Sequence, residues 1–114
     1  MKIAFTGSHR VGKTTLAEEI ADGLPDCEFR CEPYMQLEEE GYLFSEIPTA
    51  DDYIKQFNFS VEQIRDSENS VIFDRCPLDM LAYIYATDET EIVQSLYEEM
   101  IRSMSQIDVL VLFQ

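Results

Sequence analysis

The strand-like run Ile3-Ala4-Phe5-Thr6 leads without a break into Gly7-Ser8-His9-Arg10-Val11-Gly12-Lys13-Thr14, which matches the pattern G-x-x-x-x-G-K-[ST]. This feature constrains the fold more than any other, because the pattern works only between a strand and a helix. Two glycines let backbone N–H groups curl around phosphate oxygens with no side chain in the way. Lys13 would set a compact positive charge at the β- and γ-phosphates, and Thr14 would offer its hydroxyl to Mg2+. The helix beginning there would point its positive end at the anion. Residues Gly7, Ser8, His9, Arg10, Val11, Gly12, Lys13, Thr14 and Thr15 are therefore expected to hold a nucleotide, with ATP and Mg2+ as cofactors. His9, the single histidine, sits at a variable position of the loop and reads as loop filling rather than catalysis.

The rest of the chain reads β-α-β-α-α-β-α-α-β, with strands expected near 2–6, 27–31, 70–74 and 107–113. Alternation of this kind implies an α/β fold, a parallel sheet with helices on both faces. Val71-Ile72-Phe73 and Val109-Leu110-Val111-Leu112-Phe113 are continuous apolar runs, the pattern of strands buried on both sides, and are expected at the centre of the sheet. Helical stripes are expected from Leu16, Ile20 and Leu24, ended by Gly23-Leu24-Pro25, and from Tyr53, Phe57, Val61 and Ile64, capped by Thr49 or Asp51. Two more are expected, from Leu78, Leu81 and Tyr85 after Pro77, and from Ile92, Leu96, Met100 and Met104. The stretch 41–50 is the least regular. Its Tyr42 and Phe44 could hold a ring or simply pack the loop.

With 114 residues and a net charge of −15, the chain has no basic stripe that could neutralise nucleic acid or an anionic membrane, so neither is expected as a partner. Attraction for an anionic substrate must then be local, at Lys13, Arg10, Arg75 and the loop amides. Glu38-Glu39-Glu40 reads as a solvated helix end before Gly41. Cys27, Cys31 and Cys76 are odd in number and lack a C-x-x-C pair, so buried reduced thiols are expected. No segment has the apolar length of a membrane span, and no signal peptide precedes the first strand, which predicts a cytoplasmic location.

Two further signals bear on chemistry. The third strand ends in Asp74-Arg75. A strand of this kind lies beside the phosphate-loop strand, which would let Asp74 join the Mg2+ shell and let Arg75 reach phosphoryl oxygens, or else pair with a neighbouring acid. The second strand ends in Glu32-Pro33, leaving Glu32 at the carboxyl edge of the sheet, as a base for an acceptor hydroxyl or as a solvated carboxylate. Asp79 and Tyr83 share one face of the next helix and could orient Arg75 or touch substrate, with Asp79 read first as complementing the helix dipole.

Together, Gly7 to Thr14, Glu32-Pro33, and Asp74-Arg75 with Asp79 and Tyr83 resemble the small P-loop kinases. The nearest look is to the AAA-type ATPase/kinase group that includes NadR-like ribosylnicotinamide kinase domains, and the chain is also similar to deoxynucleoside and thymidylate kinases. That resemblance implies phosphate and Mg2+ binding by Lys13 and Thr14. It further implies Glu32 as base, Asp74 as metal-associated acid and Arg75 as phosphate-binding arginine. Such kinases continue into an arginine-bearing lid and a further strand, whereas no Arg or Lys follows Arg102 here. Residues 1–114 are thus expected to form a single P-loop nucleotide-binding domain lacking the C-terminal lid and last strand, as an incomplete version of a longer protein rather than a degenerate relative.

The leading expectation is ATP-dependent phosphoryl transfer to a small hydroxyl- or phosphate-bearing metabolite, most simply a nucleoside, nucleotide or ribosyl compound. Its alternatives are a P-loop ATPase or switch acting on a protein partner, and a nucleotide-binding module without turnover. On the acceptor side, Tyr42, Phe44, Gln56 and Gln63 are available but spell no code. Neither the acceptor nor the oligomeric state is readable.

Overall fold

A computed structural model describes residues 1–7 and 12–113, with Lys13 and Thr14 placed by their backbone alone. The four strands β1 (Lys2–Gly7), β2 (Glu28–Arg30), β3 (Val71–Asp74) and β4 (Val109–Phe113) form one sheet in the order β2-β3-β1-β4. All three pairings are parallel. The connections carry α1 (Lys13–Gly23), α2 (Pro33–Glu39), α3 (Ala50–Asp66), α4 (Pro77–Ala86) and α5 (Thr90–Met104), the element order that the sequence predicts.

Alternation along β1 separates two layers of core. Ile3 and Phe5 pack with Ala17 and Ala21 of α1 on one face, while Ala4 packs with Ile64, Val71, Phe73 and Cys76 on the other. A strand flanked this way is apolar through its middle, as Ile3, Ala4 and Phe5 are. Behind the second layer, Phe57, Met80, Leu81 and Met100 join α3, α4 and α5. Among the described residues no helix is long and apolar enough to cross a membrane.

Several expectations need correction. β3 is central and its Val71, Ile72 and Phe73 are buried, but β4 is an edge strand, with Leu112 62% exposed. In α1 the fully buried residues are Ala17 and Ala21; the expected Ile20 and Leu24 pack half-buried against the same cluster, and Leu16 is exposed. In α4 the buried line is Pro77, Met80, Leu81 and Ile84, so Leu78 and Tyr85 face outward. Of the thiols only Cys76 is buried; Cys27 and Cys31 flank β2 half-buried, and all three are free.

Register matters most at the carboxyl edge of the sheet. Phe5 lies opposite Asp74, and Arg75 donates its N–H to the Phe5 carbonyl at 2.8 Å, so β3 ends beside the strand that feeds the loop. At Gly7, φ is +102° and an added Cβ would run into the Phe113 carbonyl oxygen, so only glycine fits where β1 turns away next to β4.

Candidate functional site

The first turn of α1 is prepared for an anion. Gly12, its N-cap, has φ +95° and brings no side chain to satisfy the helix amides, and no acidic residue lies in that turn. In a chain this acidic the omission is informative. Of the other helices, α3, α4 and α5 each carry acid in the first turn, as Asp51 and Asp52, Asp79, and Glu91, while the short α2 carries none. Ser8, His9, Arg10 and Val11, expected to cradle phosphate, lie outside the described residues, as do the side chains of Lys13 and Thr14. Thr15 is exposed on the first turn. Gly7 has both backbone groups engaged elsewhere. Its N–H donates to Asp79 Oδ1 at 3.1 Å, and its carbonyl accepts from Arg75 Nη1 at 3.4 Å. Gly7 thus contributes a conformation rather than a free donor.

Arg75 follows the buried Asp74 and is 5% exposed, with φ at +73°, a backbone region that long side chains rarely enter. Its guanidinium is surrounded by acceptors. Nε donates to Glu32 Oε2 at 3.1 Å, Nη1 donates to the Tyr83 hydroxyl, and Asp79 Oδ1 lies at 3.8 Å. Burial pushes the Tyr83 phenol up, against the opposing pull of Arg75, which keeps it a neutral hydroxyl.

Glu32 reaches this position as the N-cap of α2, with Pro33 as the first helical residue. Proline keeps the preceding residue extended, and Glu32 has φ −60° and ψ 149°. The structure therefore brings Glu32, Asp79, Tyr83 and Arg75 together beside Gly7, with Asp74 one residue from the guanidinium. The salt bridge foreseen for Arg75 is present; being buried, it also fixes the guanidinium's direction.

Beyond Arg75 opens a cleft of about 240 Å³. Three parts of the chain line it: Arg75, Glu32 and Tyr83, the Arg75 wall; Asp52, Tyr53 and Gln56 of α3; and Tyr34 of α2 with Phe44, Ser45 and Pro48, the 41–49 wall. Phe44 stacks on Tyr34 with ring centroids 4.4 Å apart, and Tyr42 meets Phe44 edge-on at 4.6 Å. Phe44 is thus available to a ligand, whereas Tyr42 packs the loop and lies under Lys55. Gln63 lies off the cleft, in a shallow groove with Arg30 and Asp66.

Asp52 was not singled out by the sequence for this site. It is 4% exposed and accepts from the Thr49 N–H at 3.1 Å and the Ser45 N–H at 3.3 Å. Burial alone would push its carboxyl up, but the hydrogen bonds from Thr49 and Ser45 outweigh that and hold it below the ordinary carboxylate range. The available signal was Thr-x-x-Asp before an amphipathic helix, which marks a capping box.

A glycine-bounded strand-to-helix loop, an uncapped helix start and an acid-ended neighbouring strand define a domain of the P-loop NTPase class. The particular family follows from comparison: the model of a family described as "AAA domain" matches residues 2–114, and the chain belongs to that family. A crystal structure of the NadR protein in complex with NR has the same fold, with a TM-score of 0.76 and 18% identity over 97% of this chain and 33% of that one. The chain thus spans about a third of that protein's length. No curated protein sequence matches it.

Proposed function

We propose that this domain transfers the γ-phosphoryl group of ATP to the hydroxyl of a small metabolite seated in the cleft beside Arg75. The observation that carries the reading is the Glu32–Arg75 pair at 3.1 Å, placed between the Gly7 end of the phosphate loop and a cleft of about 240 Å³. A carboxylate and a fixed guanidinium at one point suit phosphoryl transfer, which needs a proton acceptor for the attacking oxygen and a donor for charge on the transferred group.

In this reading Glu32 takes the proton of the acceptor hydroxyl as its oxygen bonds to γ-phosphorus and the β–γ bridging bond breaks, leaving ADP. Arg75 donates hydrogen bonds to the phosphoryl oxygens while Glu32, Tyr83 and Asp79 hold its plane. Lys13 binds the β- and γ-phosphates, and the α1 amides from Gly12 to Thr15 complete the cradle. The hydroxyl of Thr14 and the buried carboxylate of Asp74 are hard oxygen donors suited to Mg2+, which when bound neutralises phosphate charge. Cleft chemistry narrows the acceptor. Its walls carry Glu32, Glu46 and Asp52 against the single guanidinium of Arg75, and its apolar surface is aromatic. That balance supports a neutral or cationic hydroxyl compound with a flat ring, a nucleoside or ribosyl compound, over one that already bears phosphate.

The test is phosphoryl transfer from Mg-ATP across nucleosides, nucleoside monophosphates and ribosyl pyridines. The expected outcome is one unphosphorylated acceptor consumed, with at least about a hundredfold loss of rate in Lys13→Ala and in Glu32→Gln. Nucleotide bound with no acceptor consumed overturns the kinase reading. Full activity in Glu32→Gln removes Glu32 as the base.

A further inference from the structure

The two functional elements that meet at this site come from distant parts of the chain: the loop entry from β1, and Arg75 from the β3–α4 junction. One carboxylate joins them. Asp79 Oδ1 accepts from Thr6 Oγ1 at 2.8 Å and from the Gly7 N–H at 3.1 Å, both at the mouth of the loop. Asp79 Oδ2 accepts from the Cys76 N–H at 2.9 Å and from Cys76 Sγ at 3.3 Å, beside Arg75. Its Oδ1 also lies 3.8 Å from Arg75 Nη1. The carboxylate is 6% exposed, as is Thr6, so these bonds are shielded from water.

We propose that Asp79 is a positioning residue that sets the entry of the phosphate loop and the Arg75 guanidinium in one register. Capping α4 needs only Oδ2 and the Cys76 amide. The second oxygen is committed to a strand 73 residues away, and its two donors are the last two residues of β1. Asp79 does not itself line the cleft, so it acts through the groups it holds. The inference rests on the phosphate-loop reading above, and nucleotide binding separates the two.

Thr6→Val is the cleaner test, because it removes one donor to Oδ1, keeps the side-chain shape, and leaves the α4 cap whole. Mg-ATP affinity is measured by titration calorimetry on the full chain, beside the melting temperature. Thr6→Val is expected to raise the Kd for Mg-ATP about fivefold at nearly constant melting temperature, with Thr6→Ser restoring it. Asp79→Asn is expected to weaken binding about tenfold, and adding Thr6→Val to it is expected to cost nothing more, since both act on one contact. Wild-type affinity in Thr6→Val, with Asp79→Asn lowering only the melting temperature, reduces Asp79 to a helix cap and overturns the inference. Absence of Mg-ATP binding by the unaltered chain overturns the phosphate-loop reading and this inference with it.

Discussion

The two walls of the cleft are each organised by an aspartate at the third position of a helical capping box, and the two aspartates do different work. Asp79 of α4 reaches across the sheet to Thr6 and Gly7, and everything it touches is buried or nearly so. Asp52 of α3 reaches back to Ser45 and Thr49 in the preceding loop, and that loop leaves Leu43 91% and Ile47 80% exposed. The Arg75 wall is therefore fixed by contacts between distant parts of the chain, the 41–49 wall by contacts within a short loop. Under the proposed function, phosphate chemistry tolerates little misplacement and suits the first wall, while choice of acceptor can vary with a loop and suits the second.

Arg75 offers the sharpest way to break this division. Arg75→Lys keeps a charge but not the planar fork that spans Glu32, Gly7 and Tyr83, and is expected to lower the transfer rate about a thousandfold with acceptor preference unchanged. Arg75→Ala should in addition cost about 3 kcal/mol of stability, because Glu32 and Asp79 lose their shared cation in a buried setting. Denaturant unfolding and kcat on the same samples separate the two effects. A changed acceptor spectrum in Arg75→Lys would place specificity on the fixed wall and dissolve the distinction.

Phe44 tests the other wall. It stacks on Tyr34 and lines the cleft, and it belongs to a loop that the sheet does not support. Phe44→Ala is expected to raise KM for the acceptor about tenfold, leaving KM for ATP and the melting temperature nearly unchanged. An equal change in KM for ATP would mean that the loop and the nucleotide site move as one.

What the sequence disclosed follows the same line between local and distant. The phosphate loop, the order of strands and helices, and the cap at Thr49 rest on neighbours within a few residues, and each is readable from spacing. The two ends of Asp79 are not equally visible. Asp79 in the first turn of α4 reads as dipole complementation; the expected adjacency of β1 and β3 is present, but Thr6 as its partner depends on how α4 packs against β1. The same limit explains the strands: Val71–Phe73 and Val109–Phe113 are alike as apolar runs, and only pairing makes one central and the other an edge. In α1 and α4 the apolar residues cover more than one face, so periodicity alone misplaces the buried line by a residue, and the contact with the sheet decides it. Asp52 stayed unread because a capping acid is ordinarily solvated, and here α3 and the 41–49 loop bury it.

Asp52 gives the smallest effect and the one with a defined pH sign. Its folded carboxyl lies below the unfolded value of about 3.9, because the hydrogen bonds from Thr49 and Ser45 to the charged form outweigh its burial. The stabilisation is therefore fully present above about pH 4 and is lost as pH falls through the lower, folded value. Asp52→Asn removes the charge but keeps one acceptor, so it should cost about 1 kcal/mol at pH 7, and the gap to the unaltered chain should close in acid as the native carboxyl takes up its proton. Thermal unfolding of both proteins from pH 7 to pH 3 measures that gap. A gap that stays constant with pH would mean that shape rather than charge holds Ser45 and Thr49, and the 41–49 wall would then be as firmly built as the wall it faces.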